Sequence, residues 1–303
     1  MPSQIYDFHN HKIGDTIAAA YCIQALILQE EAAGRPPPDY GLVNRGALDL
    51  CTWFPDLTGG NGGNGGSEVS GNSPSLSSVP SCSNSFPPEW EGLPGIPLGN
   101  LWISAPTIKL ETGILPVMHV PIDDQAYDVA LHCLTDAPYN TGRNHTPAQF
   151  DELERWLNWH KLRVYRVPTL GAPQFEGSAD TPVRSVQGSS HEADRSVRAP
   201  TVTDILTQIG RARCFIGGDT GFSHAFAAMH PQRPLIAIYG EDWHNVVGFE
   251  AERSRMNCAH PWCSDPLSFR LYKRVMQDHH FDEREVKELL EQLLPEIKQE
   301  ARE

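Results

Sequence analysis

Residues 212–243 have the sequence A-R-C-F-I-G-G-D-T-G-F-S-H-A-F-A-A-M-H-P-Q-R-P-L-I-A-I-Y-G-E-D-W. Cys214 to Ile216 is a short apolar run, which is typical of a buried parallel strand. Gly217 to Gly221 are turn and cap residues, and Ser223 to Met229 predict a helix rich in small residues. Pro234 to Gly240 predict a second buried strand. A helix that begins at the carboxyl end of a strand presents free N–H groups and a positive dipole end, so the stretch predicts an anion site.

The chain between this stretch and residue 125 alternates strands and helices. Tyr127 to Cys133 and the segment 162–168 predict strands. Thr146-Pro147-Ala148-Gln149 is a capping box with proline at N1, which predicts a helix start. Thr201 to Ala212 predict a helix that leads into the opening strand. Alternation of this kind indicates a parallel, doubly wound sheet.

The amino-terminal segment repeats the strand, glycine turn and helix order. Gln4 to Phe8 predict a strand, and after H-N-H-K-I-G-D-T we expect a helix from about Thr16 to Ala33. Gly34 fits the C′ position, and prolines follow it. The residues expected to form the inner face of the helix are Ile13, Ile17, Ala20, Tyr21, Gln24 and Leu28. This segment therefore predicts the matching half of a two-lobed protein.

The sequence divides into an amino-terminal lobe (1–124), a second lobe (125–280) and a carboxyl-terminal helix (281–303). The first lobe is small, with three or four strands, among them 42–43, 101–104 and 114–122. Residues 56–92 are rich in Gly, Asn and Ser and predict a flexible surface insertion. The last helix is expected to start near Asp282 and to end or kink at Pro295.

Composition excludes several classes of function. The 303 residues carry a formal net charge of −14, which disfavours binding to nucleic acid or anionic membranes through bulk electrostatics. No apolar run has the length of a membrane span, about 18 residues. The amino terminus shows no signal-peptide pattern, so we expect a cytoplasmic protein. Seven scattered cysteines fit reduced thiols better than a disulfide framework.

The motif Asp219-Thr220-Gly221-Phe222-Ser223-His224-Ala225, followed by Ala227-Ala228 and the strand 234–240, resembles the nucleotide-sugar signature of glycosyltransferase family 9, the heptosyltransferase-like enzymes. Gly14-Asp15 resembles the glycine turn and aspartate of that family's first lobe, and Arg143 lies where the second lobe has a basic loop residue. The resemblance covers 4–33 and 127–243. It implies an α/β protein of GT-B type, with two Rossmann-like, doubly wound lobes, a cleft between them and a reduced first lobe.

The resemblance also implies roles for residues. Asp15 is the expected catalytic base, with Gly14 in the turn and His11 or His9 as alternative bases or acceptor contacts. The residues expected to bind the donor's diphosphate or nucleotide are Gly218, Asp219, Thr220, Gly221, Phe222, His224 and Arg143.

Several alternatives stay open. Lys161 or Arg163 could replace Arg143, and Glu176 is a weaker candidate for binding the ribose. The family implies no cofactor and no metal in the cleft. Cys258, Cys263 and His260, with His279 and His280, have an unusual spacing for a metal site, and none is expected there.

The sequence thus predicts an inverting, metal-independent glycosyltransferase that uses a nucleotide-activated sugar, with ADP-heptose as one possibility by resemblance. A glycan, a protein or a small molecule could be the acceptor. Two alternatives are a non-catalytic nucleotide- or glycan-binding module of GT-B fold and a nucleotide-sugar epimerase. The epimerase is less favoured because that group carries paired glutamates where this chain has Ser223-His224.

Overall fold

The structure is a computed structural model of the chain. It describes residues 4–9, 13–36, 39–45, 48–58, 81–83, 95–96, 118–120, 122, 124–133, 147–168, 200–218, 220–231, 233–239, 269–273 and 283–299.

A four-stranded parallel sheet forms the amino-terminal part of the described chain. Its elements are β1 (Gln4–His9), α1 (Ile13–Ala32), β2 (Tyr40–Arg45), α2 (Leu50–Trp53), α3 (Pro55–Thr58), β3 (Ser81–Ser83) and β4 (Gly95–Ile96). The strand order is β3-β2-β1-β4, and each neighbouring pair is parallel. Since β4 lies on the opposite side of β1 from β2, the chain reverses its direction of progress through the sheet at β1.

A five-stranded parallel sheet follows. Its elements are β5 (Tyr127–His132), α4 (Pro147–Trp159), β6 (Val164–Arg166), α5 (Val202–Gly210), β7 (Ala212–Gly217), α6 (Gly221–Met229), β8 (Leu235–Tyr239), β9 (Phe269–Lys273) and α7 (Glu283–Gln299). The strand order is β6-β5-β7-β8-β9, and all four pairs are parallel. The predicted parallel α/β architecture is confirmed at this level.

Helices cover both faces of the second sheet. Ala130 and Phe215 point to the face that carries α5 and α6, whereas Val129, Leu131 and Cys214 point to the face that carries α4 and α7. This alternation follows from the two-residue period of a strand. The sheet is therefore buried on both faces, as the apolar strand sequences predict.

The helix α1 is buried nearly all round in its first half. Residues 16–23 are all buried, because α1 packs against the first sheet and also against α6. One apolar cluster consequently joins Phe8 and Ile17 to Phe215 and Phe226 of the second sheet and its helix. The sequence predicted one inner face, whereas residues 16–23 are buried on all sides of the helix. Leu28, the last residue of the predicted face, is 46 % exposed.

The ends of α1 confirm one prediction and correct another. Gly34 has φ +67°, and Arg35 N–H donates to the Glu30 carbonyl at 2.9 Å, which is the predicted glycine-terminated helix end. The helix begins at Ile13 rather than Thr16. Gly14 and Asp15 therefore lie in the first helical turn, not in a preceding loop.

Within the predicted insertion 56–92, the structure describes residues 56–58 and 81–83. The structure places α3 at its start and β3 within it, and Leu57 is buried. Of the predicted strand at 114–122, the described residues 118–120 are irregular. Met118 N–H donates to the Ala228 carbonyl (3.0 Å) and His119 N–H to the Trp53 carbonyl (2.9 Å), so this backbone connects helix ends instead of joining a sheet. The predicted strand at 101–104 lies outside the described residues.

Two features of the carboxyl-terminal part differ from the prediction. The strand β9, which no pattern indicated, pairs in parallel with β8. The helix α7 continues through Pro295 to Gln299. An internal proline removes one helical hydrogen bond, and burial of Val286, Leu290, Leu293 and Ile297 against the sheet offsets that loss.

The first turns of α1 and α6 touch. A Cβ atom placed on Gly221 would lie 2.7 Å from Ile13 Cβ and 3.0 Å from the Gly14 backbone nitrogen. A Cβ on Gly14 would lie 3.2 Å from His224 Cδ2 and 3.6 Å from Gly221 Cα. Only glycine at position 221 allows the two helices to come this close.

We predict that Gly221→Ala lowers the free energy of unfolding by about 1–3 kcal/mol, because the new methyl group meets the side chain and backbone of another helix. Gly14→Ala is the matched control. Its methyl group meets the end of the His224 side chain, which can move, so we expect a loss of less than about 1 kcal/mol. Urea unfolding measures both values. A Gly221→Ala protein as stable as the wild type would contradict this packing.

Candidate functional site

The candidate site lies where the strand order of the second sheet reverses. After β5 the chain places β6 on one side, and it then places β7, β8 and β9 on the other. His132 and Gly217, the last residues of β5 and β7, are paired neighbours at this point. In open parallel sheets the crevice outside the carboxyl ends of the strands at such a reversal is the usual place for a ligand.

The helix α6 starts beside this crevice and has a braced amino terminus. Thr220 is its N-cap residue, with an extended backbone. Thr220 N–H donates to Ser223 Oγ at 3.1 Å. Ser223 Oγ lies 2.9 Å from the Gly218 carbonyl and 2.8 Å from the Thr220 carbonyl. With one hydroxyl proton, Ser223 donates to one of these carbonyls at a time, and it ties the cap to the preceding turn.

The hydrogen bond between Thr220 N–H and Ser223 Oγ removes Thr220 N–H from the predicted set of phosphate-binding N–H groups. The N–H of Thr220 has an acceptor inside the protein. The N–H groups of Gly221 and Phe222, the first two residues of α6, have no acceptor within their own helix. Together with the Thr220 hydroxyl they form the donor surface at this helix end.

The buried side chain of His132 forms a hydrogen bond with the Thr220 hydroxyl. It is 2 % exposed, and its Nδ1 lies 3.2 Å from Thr220 Oγ1. Its ring contacts the Phe222 ring edge-on at 5.2 Å. Burial, and then the charge of Arg166, lower the pKa of His132 to about 3. The imidazole is therefore neutral near pH 7, when one of its nitrogens can donate a hydrogen bond and the other can accept one.

The sequence prediction missed His132. The available signal was its place as the last residue of a buried strand, directly before a long polar segment. Recognising it required the strand order, because only the reversal between β5 and β7 makes the end of β5 part of a crevice.

The amino terminus of α1 forms the second side of the site. Gly14 faces His224 and Gly221 at the distances given above, and Asp15 follows Gly14 as the acidic residue of the first turn. The structure therefore brings together the predicted residues Gly14, Gly221 and His224, and Asp15 is the next residue of α1 after Gly14. Two helix amino termini, each with a partial positive charge of about one half, meet here, and their charges favour an anion at this place.

The predicted residues Thr220 and Phe222 lie at the start of α6 beside Gly221, and Gly218 lies in the turn before it. Arg143, Asp219, His11, Glu176, Cys258, Cys263, His260, His279 and His280 lie outside the described residues, and so does the His9 side chain. Arg163 and Lys161 lie near the opposite edge of the sheet, where Arg163 pairs with Asp128 at 3.1 Å. Neither can replace Arg143 at the end of α6, which excludes that alternative.

Within the described ranges, no group of three or more His, Cys, Asp or Glu side chains is arranged to hold a metal ion. The described cysteines Cys22, Cys133 and Cys214 are buried and belong to no disulfide bond among the described residues. Burial raises the pKa of Cys22 and of Cys133 to about 12, so both stay protonated at neutral pH. Among the described helices, none combines the length and the apolar character that crossing a bilayer requires.

Comparison with known proteins gives little further information. No family model and no curated protein matches the chain. Among solved structures, the chain is similar to E. coli heptosyltransferase WaaC with ADP, at 11 % sequence identity and a TM-score of 0.46. The match covers 95 % of this chain and 99 % of the other. Two chains at this TM-score need not share a fold, so the likeness assigns neither fold nor activity.

We predict that His132 makes stability depend on pH. Its pKa is about 3 in the folded protein and near its usual 6.5 when unfolded. Between these values the unfolded chain binds more protons, so the free energy of unfolding falls as the pH drops below about 6.5. In His132→Asn, whose amide does not titrate, the loss of stability from about pH 7 to about pH 5.5 should be smaller than in the wild type.

Urea unfolding at the two pH values measures this loss. His119→Asn, at an exposed histidine, is the control and should keep the wild-type difference. If His132→Asn loses as much stability as the wild type over the same range, His132 is not buried in its neutral form.

Proposed function

We propose that the chain is a glycosyltransferase that takes a sugar from a nucleotide-activated donor and holds the donor's diphosphate at the amino terminus of α6. One observation carries the proposal: the first turn of α6 lies at the reversal point of a parallel sheet and contacts the first turn of α1, next to Asp15. The motif 219–225, which resembles the nucleotide-sugar signature of glycosyltransferase family 9, spans this helix start.

The donor side is proposed to stabilise the leaving diphosphate. Negative charge grows on the diphosphate as its bond to the anomeric carbon breaks, and fixed donors aimed at that charge lower the barrier. The N–H groups of Gly221 and Phe222 and the Thr220 hydroxyl supply such donors. When His132 Nδ1–H donates to Thr220 Oγ1 (3.2 Å), the Thr220 hydroxyl proton can point to the phosphate. His224 adds a donor from the same turn, and Arg143 a full positive charge.

The acceptor side is proposed to rest on Asp15. An acceptor hydroxyl oxygen forms the new bond to the anomeric carbon, the bond to the diphosphate breaks, and the hydroxyl proton goes to the Asp15 carboxylate. Attack from the face opposite the leaving group inverts the anomeric configuration. The resemblance implies that the helix ends and Arg143 neutralise the diphosphate without a metal ion, and it makes ADP-heptose one possible donor.

The division into lobes 1–124 and 125–280 with the helix 281–303 belongs to the same proposal. Both sheets reverse their strand order once, as the two halves of a GT-B protein would, and the cleft would open at the two helix starts. We place the reaction in the cytoplasm. A glycan, a protein or a small molecule could accept the sugar.

A second candidate is a binding module that uses the same nucleotide site without catalysis. The Gly-, Asn- and Ser-rich segment 56–92 favours it, because this segment interrupts the part of the chain that would carry the acceptor. Both candidates require nucleotide binding, and only the transferase requires Asp15 as a base.

We predict that Asp15→Asn lowers turnover by about a hundredfold or more, because the amide cannot take the acceptor's proton. Nucleotide binding should persist, since the α6 donors are unchanged. Turnover is measured as nucleoside diphosphate release from a panel of nucleotide sugars, and binding as thermal shift. A nucleoside diphosphate at a hundredfold excess over its dissociation constant adds about 2.7 kcal/mol of stability.

Glu31→Gln, an exposed carboxylate near the other end of α1, is the control and should leave both measurements unchanged. The absence of a thermal shift with every nucleoside diphosphate would overturn the donor site. Binding without wild-type turnover would favour the binding module, and full activity of Asp15→Asn would remove Asp15 from the mechanism.

A further inference from the structure

A second concentration of positive charge lies at the amino-terminal ends of the strands in the second sheet. A surface depression of about 600 Å³ opens beside the first residues of β5, β6 and β7, and its lining includes Lys161, Arg163, Arg213 and Lys298. Asp128 and Arg213 are the second residues of their strands, whereas α6 starts beyond the strands' carboxyl ends. A six-residue strand is roughly 16–17 Å long, so the depression and the proposed nucleotide site are separate.

The charges in this depression do not balance. Among the described lining residues, four cationic side chains meet one carboxylate, that of Asp128. Arg163 uses that carboxylate through Nη2 at 3.1 Å and Nε at 3.3 Å, and Asp128 Oδ2 also accepts the Arg163 backbone N–H at 2.7 Å. The carboxyl ends of α4 and α7 add about one negative charge in total, so an excess of about two positive charges remains in a chain of net charge −14 and favours an anion.

Arg213 brings a buried guanidinium to the depression. It is 5 % exposed, and its Nη1 donates to the Ile297 carbonyl at the end of α7 at 3.0 Å. Its Nε is buried without a hydrogen-bond partner and lies 3.9 Å from Asp128 Oδ1, whose charge Arg163 already shares. Burying a guanidinium with part of its donor set unsatisfied costs free energy, and an anion in the depression would lower that cost through its charge.

Lys161 is held in a backbone conformation that favours glycine. Its φ is +61°, and it is the C′ residue of α4: Leu162 N–H donates to the Leu157 carbonyl (3.1 Å) and Lys161 N–H to the Asn158 carbonyl (2.9 Å). Glycine is the usual residue at this position because it has no Cβ. A strained residue with a functional group in a depression indicates a role for that group.

We propose that this depression binds a small molecule that carries several oxyanion charges, a phosphate ester or a polycarboxylate. Guanidinium groups match the geometry of phosphate and carboxylate oxygens, and lysines add point charges. The volume falls within the range of small-molecule pockets, about 300–1,000 Å³. The bound anion would contact the carboxyl-terminal ends of α4 and α7, far from the proposed transfer reaction.

The test compares two double variants with the same change in net charge. Lys161→Gly/Lys298→Ala removes the two exposed lysines of the depression. Arg155→Ala/Arg284→Ala removes one exposed arginine from each of the same two helices, α4 and α7, away from the depression (their side chains are 74 % and 79 % exposed). Thermal shift and calorimetric titration use inorganic phosphate and citrate, with sodium chloride at matched ionic strength to remove general salt effects.

We expect phosphate or citrate to stabilise the wild type and the arginine variant equally. The affinity of the lysine variant for the same anion should be lower by about tenfold or more. The single variant Lys161→Gly should have a melting temperature at or above that of the wild type without ligand, because glycine relieves the left-handed backbone. It should still lose affinity for the anion, so loss of folding cannot explain the result.

The anion that binds more tightly distinguishes the two ligand classes: phosphate indicates a phosphate ester, and citrate indicates a polycarboxylate. Equal anion affinity of the lysine and arginine variants would overturn the proposal, since the lysines would then only offset the negative ends of two helices. Absence of any shift in the wild type with both anions would overturn it as well. Neither result bears on nucleotide binding at α6.

Discussion

The contact between the first turns of α1 and α6 is the constraint on which the candidate site depends. Glycine at position 221 lets the backbone of one helix reach Ile13 and Gly14 of the other. The same contact joins the apolar residues of the two sheets into one cluster. Two positive helix ends that face each other repel, and apolar burial behind them holds them in place. An anion bound beside both helix ends would reduce that repulsion, so packing and ligand binding favour the same arrangement.

The site is rigid on the side of the second sheet. Ser223 ties the N-cap to the preceding turn, and the neutral His132 holds the Thr220 hydroxyl. Both side chains are buried, so the donors of α6 are positioned before any ligand arrives, which reduces the ordering that binding requires. The depression at the amino-terminal ends of the same strands is lined by arginine and lysine side chains instead. The two anion sites proposed for this sheet thus differ in their chemistry.

Local patterns predicted the parts of the fold that local forces determine. The capping box at 146–149 placed the start of α4 at Pro147, and Gly34 ended α1 in the left-handed conformation. Gly14, Asp15, Gly221 and His224 were predicted from the resemblance of their motifs to those of glycosyltransferase family 9, and the structure places Gly14, Gly221 and His224 close together. Burial of α1 on all sides, the strand β9 and the path of α7 through Pro295 depend on contacts between distant segments, which sequence periodicity does not contain. His132 was recognised only with the strand order, and the left-handed backbone of Lys161 only with the dihedral angles.

The central claim is that the first turn of α6 holds the phosphates of a nucleotide. Hydrogen exchange of the backbone amides tests it most directly, because Gly221 and Phe222 are the proposed donors and have no acceptor within their helix. With a saturating nucleoside diphosphate, exchange in peptides covering 218–226 should slow by about tenfold or more, while peptides from α4 keep their rates. Unchanged exchange at 218–226 under conditions where the nucleotide is shown to bind would contradict the account.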